Sequence, residues 1–481
     1  MKRRCSLGQK TKNKEIGNHM GFDSDVLILG SGPAGYVAGI RAAQLGMKAL
    51  VVDKVKSGGV CLNRGCIPTK ALINQAEDFL LLAEVEKTGV KVDRSGFQYK
   101  SVFETSRKAS ESLSKGVQYL LKKNGVGFIQ GTARISGPHQ VTLDDGRVLT
   151  GKNLLLATGS RPRQIPGFEF DGTDILSSDH ALFLEELPAR MLIIGGGAIG
   201  CEFAHVMNAF GVEVTVAEMM DHLLPQEDPD TAAIVERAFR KRKIDLRTGA
   251  RVAGYQRREG ELVVPVTLKD GTAEELVTDK ILVVTGRAQN TDDLGLERVG
   301  IVTERGAVPV NAHYQTVVPS IYAVGDIISS PQLAHLASAE GEAAVEHMAG
   351  KGPEHAVDPL LVPRGVYTDP QVAGFGLTET NAKAQGKRYA ISLFSYRAAG
   401  KAVATGKTDG QVKLVYDPDT KEILGAGIVG ADATEIIHEV LLAKKSGLKT
   451  GDIAGMIHAH PTLSEAIMEA ARGAEGWMIH A

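Results

Sequence analysis

The 481-residue sequence has no excess of basic side chains, few cysteines and no long apolar run. With 55 Lys+Arg against 57 Asp+Glu, a net charge of -2 argues against nucleic acid as the main partner, since phosphate binding needs a basic surplus. Glycines interrupt the longest apolar stretch, Met191–Cys201, and nothing approaches the ~18 residues of a membrane span. Residues 1–22 are basic and polar and lack the apolar core of a secretory signal, so they read as a flexible basic arm. Four cysteines cannot staple an extracellular framework; the chain reads as cytoplasmic, and any cysteine pair in it as catalytic or metal-binding. Glycine is the one residue in surplus, at 55 of 481, without a collagen period. That points to tight turns and close backbone approach to ligands. The length allows roughly three domains.

Two stretches share one pattern. Asp25–Leu29 reads as a strand and leads into Gly30-Ser31-Gly32-Pro33-Ala34-Gly35, a helical run Tyr36–Leu45 and a strand Lys48–Val52 that ends at Asp53. Met191–Ile194 leads into Gly195-Gly196-Gly197-Ala198-Ile199-Gly200, a helix Cys201–Phe210 and a strand Val212–Ala217 that ends at Glu218. In both, the acid follows the first glycine by 23 positions. One such glycine motif means little; its recurrence in register, acid included, is the signature of two dinucleotide sites. The first glycine makes the turn, the second admits a pyrophosphate, and the third lets helix meet strand. The carboxylate then takes ribose hydroxyls. No Arg or Lys occurs in Met219–Leu224, so a 2′-phosphate beside Glu218 and Asp221 would be repelled and NAD is expected over NADP.

Further apolar strands end in glycine at Leu154–Gly159, Ile281–Gly286 and Ile321–Asp326. From about Pro353 the alternation of Gln411–Val415 and Ile423–Val429 suggests an antiparallel sheet closed by helices. The expected class is α/β: two Rossmann-like dinucleotide-binding domains and a C-terminal α+β dimerisation domain. The expected division is an arm 1–22, a first dinucleotide-binding part 23–160, a second such domain 161–286, a return to the first over 287–355, and an interface domain 356–481.

Gly58–Lys70 (GGVCLNRGCIPTK) holds Cys61 and Cys66 and runs into a helical pattern, Ala71–Glu86. On one regular helix, residues five apart lie roughly 8.6 Å from each other, beyond the ~7 Å limit for a disulfide. A bridge therefore requires a distorted first turn, for which Gly65 and Pro68 are suited. An accessible, strained pair at a helix N-terminus has the properties of a redox disulfide. No further Cys or His lies at metal-ligand spacing nearby, so no metal is expected. Cys201 reads as a small core residue. A redox disulfide needs an electron carrier, and a flavin between it and NAD is the suitable one. Near the C-terminus, Pro461 suits a first helical position, leaving His460 beside the cap and Glu465 one turn inside. A histidine oriented by a carboxylate is the base that dithiol chemistry needs. His458 reads as a packed histidine.

In this order and spacing, GSGPAGYVAGIRAAQLG, GGVCLNRGCIPTK, GGGAIGCEFA, YAVGD and HAHPTLSEA resemble the dihydrolipoamide dehydrogenases. These are the flavin-linked E3 components of 2-oxo acid dehydrogenase complexes and of glycine cleavage. The resemblance implies a homodimer with shared active sites, serving lipoyl domains and core subunits or a glycine cleavage H protein. It implies FAD on Gly30, Gly32, Gly35, Asp53, Lys70, Gly131, Thr158, Gly159, Ser160, Asp326 and the segment Gln332, Leu333, Ala334, His335. NAD is implied on Gly195, Gly197, Ala198, Ile199, Gly200, Glu202, Glu218, Val252 and Gly286, with Lys70 and Glu202 also paired beside the flavin. The implied catalytic set is Cys61 as interchange thiol, Cys66 facing the flavin, and His460 with Glu465 from the partner. Asp53 replaces the family's usual Glu, and Arg64 stands where Val is common. The rival readings are a glutathione-, mycothiol- or mercury-type reductase of the same fold, or a vestigial flavoprotein scaffold.

Overall fold

A computed structural model describes residues 21–352 and 356–480. The expected N-terminal arm, with Cys5, therefore lies outside the described residues except for Gly21 and Phe22.

The first unit is a sheet whose strands Gly127–Gln130, Ala49–Asp53, Ser24–Leu29, Val148–Leu156 and Ile321–Ala323 run parallel in that order. Their centres (Val26, Leu27, Ile28, Val51, Leu155 and Ala323) are fully buried, as continuous apolar strands covered on both faces must be. Helices Pro33–Gln44 and Ala334–Met348 pack closely on one another. A Cβ at Gly341 would stand 2.6 Å from the Ala34 carbonyl oxygen, so the small residue permits the contact.

The second unit is an all-parallel sheet, ordered Asp245–Thr248, Glu213–Glu218, Arg190–Ile194, Lys280–Val283 and Ile175–Leu176. Four antiparallel strands between Arg251 and Thr278 cover it, a feature the sequence reading did not contain. The chain enters and leaves this unit through Ser160–Pro162 and Arg287–Gln289, which pair antiparallel as a double crossing. The C-terminal unit is a five-stranded antiparallel sheet that includes Gln411–Tyr416 and Ile423–Gly430, backed by helices Ala433–Lys445 and Glu465–Ala474.

Candidate active site

All parallel strands of the first unit end on one edge, where ligands bind in open α/β sheets. That edge collects residues scattered through the sequence. Gly30 sits at φ +106°, a conformation that favours glycine, and a Cβ there would lie 2.2 Å from the Ala157 carbonyl oxygen. A Cβ at Gly35 would lie 1.9 Å from the Gly30 carbonyl oxygen, so the third glycine closes helix onto strand. Gly32 differs: its nearest neighbour would be Gly59 Cα at 3.8 Å, and it caps the helix without a side-chain bond. Asp53 accepts hydrogen bonds from the Ser31 N–H and Oγ, both 2.7 Å, and from the Val55 N–H at 3.0 Å. The acid thus also fixes the glycine loop. Gly131 N–H donates to the Asp53 carbonyl at 2.9 Å, and Thr158 Oγ1 donates to the Asn290 carbonyl at 2.9 Å. Ser160 Oγ donates to Asp326 at 2.5 Å and accepts from Arg287 Nε at 2.7 Å. Gly159 adjoins this group at φ +70°.

The second unit repeats the geometry. Gly195 has φ +113°, a Cβ at Gly200 would lie 1.9 Å from the Gly195 carbonyl oxygen, and one at Gly197 would meet nothing within 4 Å. Glu218 is buried and accepts from the Gly196 N–H at 2.6 Å and the Met220 N–H at 2.8 Å. The Glu218 carbonyl accepts from the Ala250 N–H at 2.8 Å, which brings Val252 to this strand end. Gly286 lies at the end of the neighbouring strand, its carbonyl accepting from the Arg163 N–H. The fold delivers one cation that sequence proximity missed: Lys269, which Asp221 holds at 2.7 Å. Each cradle has an open second glycine and uncapped helix N–H groups, which fits a dinucleotide pyrophosphate.

The cysteines differ from the expected single helix with a distorted first turn. Helix Gly59–Arg64 ends at Gly65, and a second helix, Cys66–Glu86, begins at once with Pro68 in its first turn. The break replaces the distortion. Helix Tyr99–Lys123 buttresses it: Ser110 Oγ donates to the Leu62 carbonyl at 2.6 Å and Arg107 to the Asn63 carbonyl at 3.0 Å. Cys61 and Cys66 stand as thiols within hydrogen-bond reach of each other. The Cys61 hydrogen bond draws the Cys66 thiol down to about 7 against burial, with help from the Lys70 charge, while Cys61 is pushed up correspondingly. Lys70 Nζ donates to both Glu202 oxygens at 2.9 Å and lies 4.4 Å over the Tyr367 ring. The Tyr367 N–H also donates to Glu202, at 3.1 Å. Glu202 is 5% exposed, so this knot ties the redox helix, the second glycine helix and the C-terminal unit at one point.

His460 Nδ1 lies 3.0 Å from Glu465, whose other oxygen accepts from the Thr462 N–H at 2.8 Å. Burial raises the Glu465 carboxyl, but the Thr462 N–H and His460 together hold it below the usual range. The local structure departs from expectation: the helix starts at Glu465, and Pro461 lies in the preceding turn. His460 is 76% exposed, projecting from the surface of the C-terminal unit. His458 is buried against Glu439 at 2.8 Å, and Cys201 is buried in the core. The His335 ring nitrogen Nε2 lies 2.7 Å from the Pro363 carbonyl oxygen. Leu333 caps the helix that starts at Ala334, just after Gln332. Glu340, which no motif spacing flagged, accepts from the Gly325 N–H at 2.7 Å beside Asp326, and burial raises its carboxyl to about 7.

Residues 24–341 match the pyridine nucleotide-disulphide oxidoreductase family, and residues 362–471 match its dimerisation domain. The chain therefore belongs to the pyridine nucleotide-disulphide oxidoreductases, as an NAD-dependent FAD enzyme that pairs as a homodimer. Within that class it groups with the dihydrolipoyl dehydrogenases. That of Bacillus subtilis is 43% identical over 96% of this chain and 100% of the relative. That of Chlorobaculum tepidum is 43% identical over 93% and 96%. Among solved structures, LpdA of Mycobacterium tuberculosis superposes with a TM-score of 0.85 at 28% identity, covering 93% of this chain and 99% of that one. The HOCl-induced flavoprotein disulfide reductase RclA of Escherichia coli, as its Cu(II) complex, gives 0.83 at 26% identity over 94% and 99%. Among the described residues, no helix is long and apolar enough to cross a membrane.

Proposed function

We propose that this chain oxidises protein-bound dihydrolipoamide to lipoamide and reduces NAD+ to NADH, in the cytoplasm, as the E3 component of a 2-oxo acid dehydrogenase complex or of glycine cleavage. The observation that carries the reading is the Lys70–Glu202 knot, which joins the helix bearing Cys66 to the helix that opens after the second glycine loop. FAD would rest on the first cradle, against Gly30, Gly32, Gly35, Asp53, Gly131, Thr158–Ser160 and Asp326, with the backbone of Gln332–His335 beside it. NAD would rest on Gly195–Gly200 and Glu218, with Val252 and Gly286 adjacent. When bound, the flavin accepts two electrons from a thiolate and yields them as hydride.

The protein's own groups do the rest. His460 of the partner subunit, held in one orientation by a carboxylate, takes a proton from a substrate thiol. The resulting thiolate attacks Cys61 Sγ in the oxidised enzyme and breaks the Cys61–Cys66 bond. Cys66 leaves as thiolate, which its low pKa favours. The second substrate thiol closes the lipoamide disulfide and expels Cys61. The substrate thus loses two electrons and the cysteine pair gains them. The Cys61 hydrogen bond and, after it, the Lys70 charge favour the Cys66 thiolate, and the buried carboxylate of Glu202 holds Lys70 in place. Glu218 excludes a 2′-phosphate by charge, which favours dihydrolipoamide-type chemistry with NAD over a glutathione-type reductase with NADPH. The test is an anaerobic titration of purified holoenzyme with dihydrolipoamide, glutathione disulfide, NADH and NADPH, followed by flavin absorbance. Reduction by dihydrolipoamide and by NADH alone supports the proposal; oxidation of the reduced enzyme by glutathione disulfide together with NADPH use overturns it.

A further inference from the structure

The strand Gln411–Tyr416 carries Lys413, whose side chain is only 2% exposed. Its Nζ lies 3.2 Å from Asp228, 2.8 Å from Asp230 and 2.9 Å from Glu379. Asp228 and Asp230 belong to the second dinucleotide unit, at the start of helix Pro229–Lys241; Glu379 opens helix Glu379–Ala384 of the C-terminal unit. Asp228 also accepts from the Glu379 N–H at 3.0 Å, the Thr380 N–H at 2.9 Å and Thr380 Oγ1 at 2.7 Å. Beside this clasp, Arg364 binds Glu227 across the same junction at 2.9 Å.

A buried lysine is an expensive device for mere adhesion, because apolar packing would hold two units equally well. What a lysine between three carboxylates adds is a directional contact that fails sharply when displaced. The second unit joins the rest of the chain through the double crossing Ser160–Pro162 and Arg287–Gln289 and through an apolar core in which Phe203 and Met207 meet Leu72, Ile73 and Val366, and apolar contact is not directional. The clasp adds to that packing a directional contact between the second unit and the C-terminal sheet. The second unit carries Glu202, whose position against Lys70 and the redox helix depends on how that unit is oriented.

We propose that Lys413 is a positioning residue for the nicotinamide half of the reaction: it locks the NAD-binding unit in the rotation that brings its cradle to the redox centre. The proposal rests on the reading of Gly195–Gly200 and Glu218 as the NAD cradle. Removing the Lys413 charge leaves Asp228 and Asp230 facing Glu379 with no cation between them, and like charges then push the two units apart. Misplacement by about 1 Å can cost on the order of a hundredfold in rate.

The experiment uses the holoenzyme in anaerobic stopped flow, with the two half-reactions measured separately for Lys413→Met, Lys413→Arg and Asp228→Asn. Lys413→Met is expected to slow reoxidation of the dithiol-reduced enzyme by NAD+ about tenfold or more. Reduction by dihydrolipoamide should stay within about twofold, and Lys413→Arg should recover most of the loss. Asp228→Asn, which alters the clasp from the other side, should show the same asymmetry and serves if Lys413→Met does not fold. Equal slowing of both half-reactions, or a lowered melting temperature with both rates unchanged, overturns the proposal. Failure of the NAD reading itself would be distinguishable, because wild-type reduced enzyme would then not be reoxidised by NAD+ at all.

Discussion

Replacing Lys70 by Met separates the chemistry of the knot from its packing. Lys70 is one-third exposed, whereas Glu202 is nearly buried and gives both oxygens to Nζ at 2.9 Å. Stripping the partner from a fully buried carboxylate costs about 3–5 kcal/mol. Solvent reaches the lysine side and the Tyr367 N–H still donates to Glu202, so roughly 1–3 kcal/mol of stability should be lost. The thiolate effect is the sharper one. The Lys70 charge lowers Cys66, so its removal must raise the Cys66 pKa from about 7 toward the ordinary thiol value. The sign follows from linkage: with a depressed folded pKa, the stabilisation of the reduced protein is present at alkaline pH and lost as pH falls through about 7. The assay is a pH titration of thiolate absorbance at about 240 nm in the reduced protein, with urea unfolding curves at alkaline and at acidic pH. An upward shift of the midpoint with a smaller pH-dependent stability is expected. An unchanged midpoint would refute the assignment of Lys70 as the cation that holds Cys66 ionised.

Cys61→Ala removes the hydrogen bond that is the largest influence on Cys66, so the thiolate midpoint should rise in the same titration. Gly200→Ala places a methyl group 1.9 Å from the Gly195 carbonyl oxygen and should weaken NAD binding by about tenfold or more while FAD content is kept, as read by calorimetry and flavin absorbance. Glu218→Ala combined with Met219→Arg should shift the NADH/NADPH preference toward NADPH; an unchanged ratio of kcat/KM values would remove Glu218 from the ribose site.

Much of the fold was legible because its parallel strands are apolar throughout and end in glycine. Strands Ser24–Leu29, Ala49–Asp53 and Arg190–Ile194 fall within one residue of their sequence limits. The glycine loops were legible for the same local reason: positive φ at Gly30 and Gly195 and the contacts of Gly35 and Gly200 leave few alternatives. The redox segment was readable in its chemistry but not its backbone. A break at Gly65 between two helices depends on the buttressing by Arg107 and Ser110, more than 40 positions away. The turn before Glu465 went unread because the Glu465 carboxylate reaches back to His460 and the Thr462 N–H, so that Pro461 precedes the helix and does not open it. Lys413 and Asp228 are 185 positions apart, and no spacing rule joins them. Glu340 and Tyr367 likewise acquire their partners only when distant segments fold together.

The most direct test of the account is the rate of NADH formation from dihydrolipoamide by Cys66→Ser holoenzyme, with flavin content matched to wild type. The electron path through the cysteine pair predicts a fall of at least a thousandfold, on the order of what loss of a covalent nucleophile costs. A rate near wild type would contradict it.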